Sequence, residues 1–126
     1  MKEDNESSFE GFVRTVYYTD EFSEFYNSLN EKTRKKIDYV IVLIKDMKLI
    51  HSDFVKKLVN TELYEMRVSV GSNEYRSIMF SLDHENIIEA TEVILLNGFL
   101  KKSTKDYDKQ IKRAETILNN LEYEKD

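Results

Sequence analysis

Two apolar rhythms alternate along the chain of 126 residues. Residues 12–18, FVRTVYY, are rich in β-branched and aromatic side chains and predict a strand. After Thr19 and Asp20, either of which can cap a helix, the period changes. Phe22, Phe25, Tyr26 and Leu29 fall at i, i+3, i+4 and i+7, one helical stripe. Asn30 is placed to cap a second helix, which Ile37, Val40, Ile41, Ile44 and Met47 carry to about residue 48. Tyr39, Val42 and Leu43 make its middle apolar almost all round, which predicts burial on every side. Lys32, Arg34, Lys35 and Lys36 make its first turns basic and solvated. Residues 49–62 read as a connection with room for one helical turn. Three strands follow over about 63–70, 73–82 and 87–97. The first two form a hairpin on Gly71-Ser72, and Asp83 to Asn86 supplies the second turn. The segment IIEATEVILL is too apolar for a strand with one wet face and predicts a central position. Ser103 or Thr104 caps a last helix with Tyr107, Ile111, Ala114, Leu118 and Leu121 as its apolar stripe. The order β-α-α-β-β-β-α is that of an α+β domain, with a mainly antiparallel four-stranded sheet packed on helices.

Composition narrows what such a domain does. There is no proline and only three glycines, so no linker or repeat divides the chain. One domain is expected over residues 11–126, behind a flexible acidic arm over residues 1–10. Without cysteine there is no disulfide framework, thiolate metal site or cysteine nucleophile. The two histidines, His51 and His84, are far apart in sequence, so no metal and no cofactor is expected. No apolar run reaches the roughly 18 residues of a membrane span, and the start MKEDNESSFEG is unlike a signal peptide. A cytoplasmic protein is expected, with no membrane partner.

The net charge of −5 argues against indiscriminate nucleic-acid binding, but the charge is uneven. Residues 31–60 hold eight bases and four acids, and residues 99–113 hold six bases and two acids. The stretches 1–30 and 61–98 each hold seven acids and two bases. A local basic surface on an acidic protein is therefore possible.

The hairpin poses a question. In LYEMRVSVGSNEYR, a two-residue turn at Gly71-Ser72 pairs 70 with 73, 69 with 74 and 67 with 76. Arg67 and Arg76 then face each other, and like charges directly opposite weaken a ladder. Two readings are open. Glu65, on the same face as Arg67, neutralises a solvent-facing charge ladder. Alternatively, the pair is an anion site in which a phosphate takes bidentate hydrogen bonds from each guanidinium. The segment GFLKKSTKD, 98–106, adds Lys101, Lys102 and Lys105 beside a helix N-terminus, where backbone N–H groups favour an anion. It also reads as an ordinary capped helix with solvated lysines. Tyr75 and Phe99 offer rings for stacking on bases, or simply core. Lys56 and Lys57 are either a charged linker or a second wall of the patch.

These segments resemble a known family. Lys56-Lys57-Leu58, Leu63-Tyr64-Glu65-Met66-Arg67, Tyr75-Arg76 and Leu95-Leu96-Asn97-Gly98-Phe99-Leu100-Lys101-Lys102-Ser103 occur in the order found in the RelE/ParE superfamily of type II toxin–antitoxin toxins. The likeness is closest to its HigB-like, phage-derived branch and covers about residues 12–121. It implies a small toxin held by a cognate antitoxin of the helix-turn-helix type. RelE- and HigB-type members cleave mRNA in the ribosomal A site without a metal, whereas ParE-type members poison gyrase. The likeness places Arg76 at the phosphate-contacting arginine of the YR strand and Arg67 at the strand arginine before the turn.

The expected activity is that of a ribosome-dependent mRNA endoribonuclease leaving 2′,3′-cyclic phosphate ends. Arg67 and Arg76 serve the phosphate oxygens, Lys101 is the base ahead of Lys102 and Lys57, Glu65 is the alternative base, and the acid is left open. Tyr75, Phe99, Lys102, Lys105 and Lys57 are the candidate RNA contacts. Both arginines are expected at the surface. The alternative is a non-enzymatic interaction protein, either a gyrase-directed poison or a relic that only binds its antitoxin.

Overall fold

A computed structural model describes residues 14–125, and the acidic arm read over residues 1–10 lies outside them. The described elements are β1 (Thr15–Tyr18), α1 (Asp20–Asn27), α2 (Glu31–Asp46), β2 (Val55–Lys57), β3 (Leu63–Val70), β4 (Asn73–Ser81), β5 (Glu92–Leu95), β6 (Phe99–Leu100) and α3 (Thr104–Lys125). The sheet runs β1-β5-β4-β3-β2, with β6 also on β4. Strand β1 lies parallel to β5, and every other pairing is antiparallel. The expected α+β class is present, and two short strands join the four that the sequence predicts.

The helices start where local chemistry sets them. The Thr19 side chain accepts from Phe22 N, Asn30 Oδ1 accepts from Thr33 N, and Ser103 Oγ accepts from Asp106 N. Each satisfies an amide that the first turn leaves without a partner. Gly71 sits in the hairpin turn at φ +61°, a conformation that glycine adopts without strain.

The sheet buries both faces. Tyr64, Met66, Val68, Met79, Val93 and Leu95 pack against α1 and α2, where Phe22, Ile37, Val40 and Ile44 complete one core. On the other face Leu63, Ile78, Leu96 and Phe99 pack against Ala114 and Leu118 of α3. Because the sheet covers only one side of α2, the helix is not buried all round. Tyr39 and Val42, expected inside, are 55% and 49% exposed.

Two expected boundaries move. The third strand of the meander begins at Glu92 rather than at 87. Ahead of it, the Asp83 carboxylate accepts from the amides of Thr91 and Glu92 and from the Thr91 hydroxyl. Tyr64 Oη also accepts from Ile87 N, which holds the preceding turn against β3. The apolar Ile87 and Ala90 thus join the core from a loop. The connection after α2 contains β2, whose Val55, Lys56 and Lys57 pair with Met66, Glu65 and Tyr64.

Arg14, read as part of the first strand, lies just before it and is buried. Its Nη1 donates to Ile44 O at 2.9 Å and Met47 O at 2.6 Å, and its Nη2 to Lys48 O at 2.8 Å and Ile87 O at 2.9 Å. A guanidinium fits there because the last carbonyls of a helix lack intrahelical donors and carry partial negative charge. Burial pushes the pKa of Arg14 below its ordinary value, and the charge of Asp83 opposes that. At the opposite end of β5, Gly98 lies directly under the Phe25 ring. A Cβ at this position would stand 2.1 Å from a ring carbon.

Candidate functional site

The hairpin register is the expected one, with Arg67 opposite Arg76 and Ser69 opposite Glu74. Arg67 N donates outward to Phe54 O. The 67–76 pair is therefore of the non-hydrogen-bonded kind, in which side chains stand closest across a ladder. The cations are brought together at the tightest spacing that a sheet offers.

Carboxylates resolve the conflict. Glu65, two residues from Arg67 on the same face, sits between the guanidiniums. Its Oε1 is 3.1 Å from Arg67 Nε and 3.6 Å from Arg76 Nε. Its other oxygen, Oε2, accepts a short hydrogen bond from the Tyr107 hydroxyl of α3. Glu74 meets Arg76 Nη1 at 3.2 Å and accepts from Ser69 Oγ. The Ser69 hydrogen bond, followed by the hydrogen bond and charge of Arg76, holds Glu74 below the usual carboxylate range. Burial, then the bond to Glu65, pushes the Tyr107 phenol well above its ordinary value, so Tyr107 remains a donor.

The two arginines are not equivalent. Arg76 is 5% exposed, contrary to the surface position expected for it, because it lies between Glu65 and Glu74. The Arg67 side chain is 29% exposed. Its Nε lies in ion-pair range of Glu65 but makes no hydrogen bond, and its two terminal amino groups have no partner among the described residues.

Arg67 forms one wall of a cleft of about 420 Å³. Lys56, Lys57, Lys101, Glu65 and Tyr107 line it too. Arg67, Lys56 and Lys101 share the face of its one carboxylate, which is buried and already held by Arg67, Arg76 and Tyr107, whereas Lys57 points to the opposite face. Lys101 Nζ stands 5.8 Å from the centre of the Tyr107 ring. Lys57 pairs with Tyr64, lies over that ring, and donates its amine to Thr61 O. Lys56 pairs with Glu65, so alternation puts it on the arginine face.

The structure therefore brings together Arg67, Glu65 and Lys101, with Arg76 behind them. Lys102 and Lys105 are exposed at the start of α3 but do not line this cleft. Tyr75 and Phe99 are corrections to the stacking expectation. Tyr75 points to the opposite face from Arg76 and packs on Phe25, with ring centres 6.3 Å apart. Phe99 is buried against Tyr107. The sequence reading missed Tyr107 and underrated Lys56. Tyr107 was legible only as an apolar stripe position, and its hydroxyl acts from the end of that stripe. Asn97 of the GF segment is structural, its side chain linking Ile78 N of β4 to Gln110 O of α3.

A family model described as Phage derived protein Gp49-like matches residues 24–119. No curated protein gives a significant match. Among solved structures, a double arginine-to-alanine mutant of E. coli toxin RelE in the free state superposes with a TM-score of 0.57. It shares 15% identity over 80% of this chain and 97% of that one. The isolated E. coli RelE toxin in its P21 crystal form gives 0.50 at 13% identity, over 80% of this chain and 98% of that one. At these identities the likeness is one of fold.

Proposed function

Because the chain belongs to the Gp49-like family of phage-derived proteins and has the fold of the RelE toxin, we propose that it is the toxin of a type II toxin–antitoxin pair and cleaves mRNA on the ribosome. The observation that carries this reading is the unused end of Arg67. It faces a cleft where Lys56 and Lys101 flank a carboxylate that is already committed.

The site suits phosphodiester cleavage by the RNA itself. The 2′-oxygen attacks the adjacent phosphorus, the bond to the 5′-oxygen breaks, and the products are a 2′,3′-cyclic phosphate and a 5′-hydroxyl. Arg67 stabilises the phosphoryl oxygens as charge builds on them. Glu65 and Arg76 act through Arg67, fixing its pose. Lys101 is placed to take the 2′ proton, and Lys56 to supply a proton to the departing 5′-oxygen. Glu65, with both oxygens engaged, is the weaker choice of base. Lys102 and Lys105 extend the positive surface toward the RNA beyond the cleft.

The ribosome enters through electrostatics. Affinity for free RNA depends on how many phosphates a protein neutralises, and this chain carries 24 acidic side chains against 19 basic ones. Delivery and orientation of the strand must then come from elsewhere, which an empty A site provides. A cognate antitoxin of the helix-turn-helix type is the expected protein partner. No helix among the described residues is long and apolar enough to cross a membrane, and action on ribosomes places the protein in the cytoplasm.

The test is to incubate the purified protein with one mRNA, free and in a programmed ribosome with an empty A site, and to map the new 5′ ends. Cleavage should require the ribosome, and Arg67→Ala should lower the rate at least about 100-fold. Equal rates on free and ribosome-bound mRNA refute ribosome dependence. One observation favours the second reading, a gyrase poison or an inactive relic: Arg76 is 5% exposed and lies between Glu65 and Glu74. Intact mRNA with DNA damage on induction identifies the poison, and no growth effect identifies the relic.

A further inference from the structure

A second cleft, of about 430 Å³, opens on the other side of Arg67. Lys36 and Tyr39 of α2, Asp53 and Phe54 ahead of β2, and Glu74 of the hairpin line it together with Arg67. It exists because β2 is short. The pairing of β2 with β3 ends at Val55 and Met66, and the bond from Arg67 N to Phe54 O is its last link. Beyond it β2 no longer covers the edge of β3, and Arg67 is the one arginine common to both clefts.

This second cleft holds the open aromatic face that the first one lacks. Tyr39 is 55% exposed, and Phe54 braces it at 76° with ring centres 6.5 Å apart. Lys36 lies three residues before Tyr39 on α2, so amine and ring share one face of the helix. Of the carboxylates nearby, Glu74 is held by Ser69 and Arg76, and Asp53 is exposed. The combination is a flat ring, a cation beside it, and a shared arginine leading to the proposed scissile phosphate. We infer that this cleft is a base subsite of a single-stranded polynucleotide, with the base of a nucleotide adjoining the scissile phosphate stacked on Tyr39 and its neighbouring phosphate at Lys36. The inference rests on the RNA-cleaving reading above and extends it by assigning base selection to α2.

The chain has no tryptophan, so Tyr39→Trp introduces a unique fluorophore on an exposed helix face. The full-length variant is titrated at low salt with hexauridylate, hexaadenylate and an abasic oligomer carrying the same phosphates. The expected result is quenching by the base-containing oligomers and binding of the abasic one at least about 5-fold weaker. Lys36→Ala should reduce the slope of log affinity against log salt by about one phosphate contact. Equal binding of abasic and normal oligomers without quenching overturns the inference, and so does the absence of binding by any oligomer. Cleavage mapping separates the two readings. If Tyr39→Ala still cuts ribosome-bound mRNA with unchanged base preference, the subsite falls and the nuclease stands. If the protein cuts nothing but base-dependent quenching persists, the subsite stands and the nuclease falls.

Discussion

Glu65→Gln removes one charge and little else. The amide keeps the shape of the side chain and can still accept from Tyr107. What disappears is the anion between two cations. One oxygen, Oε1, lies 3.1 Å from Arg67 Nε and 3.6 Å from Arg76 Nε. The guanidinium nitrogens are therefore within about 7 Å of each other, and at an effective dielectric constant of about 20 their repulsion is roughly 2.4 kcal/mol. Breaking a buried pair by removing one partner costs about 3–5 kcal/mol. Arg67, being partly exposed, can swing into solvent, and Arg76 keeps Glu74. Both effects lower the expected cost to about 2–3 kcal/mol, or roughly a 10 °C drop in Tm. The assay is urea or thermal unfolding of four proteins: wild type, Glu65→Gln, Arg67→Gln and the double variant. If facing cations are the cause, the double variant is more stable than Glu65→Gln alone. Sulfate or phosphate should also raise the Tm of Glu65→Gln more than that of wild type, because an anion can occupy the vacated charge position. A cost below about 0.5 kcal/mol, or a double variant as unstable as the sum of the singles, refutes the counter-ion role.

Two further outcomes follow from the packing and the loop. Gly98→Ala drives a methyl into the Phe25 ring and should cost about 1–3 kcal/mol in urea unfolding. Combining it with Phe25→Leu should recover part of the loss, and an unperturbed Gly98→Ala would show that the ring moves freely. Asp83 is held below its ordinary value of 3.8, first by the Thr91 hydroxyl and then by backbone amides. Its folded-state pKa is depressed, so its contribution is present above the unfolded value and lost as pH falls through the folded one. Asp83→Asn should therefore lower Tm at neutral pH, with the gap closing as pH falls through the folded-state pKa of Asp83, and a gap that persists in acid would remove Asp83 as its cause.

The hairpin register was legible because a two-residue turn leaves no freedom. Once Gly71 and Ser72 are the turn, Arg67 must meet Arg76. Helix starts were legible because Thr19, Asn30 and Ser103 are short polar side chains just ahead of apolar stripes. The start of β5 was not. Ile87 and Ile88 look like strand, and only the hydrogen bonds of Asp83 and Tyr64 hold them in a turn. Strand β2 is three residues long, too short to show a period of two. The placement of Tyr75 was misread although alternation decides it, since neighbours on a strand face opposite ways. The burial of Arg76 was out of reach, because it depends on Glu74 and Glu65 closing on it from two directions. Tyr107 had no local signal, since its partner Glu65 lies 42 residues away.

The parallel pairing of β1 with β5 has a kinetic consequence. The Thr19 hydroxyl donates to Leu96 O, 77 residues along the chain, and Arg14 reaches Ile87 across 73. Contacts of that span reward the chain only after a long loop has closed, whereas the β3–β4 hairpin closes over two residues. The arginine ladder therefore belongs to the fast part of folding, on the microsecond scale of hairpins. The N-terminal strand and the clamp on the end of α2 belong to the slow part. Pulsed hydrogen exchange during refolding should protect the amides of Tyr64, Met66 and Val68 before those of Thr15 and Thr19. The two sides of one sheet thus mature at different times, with the proposed site on the side that forms first.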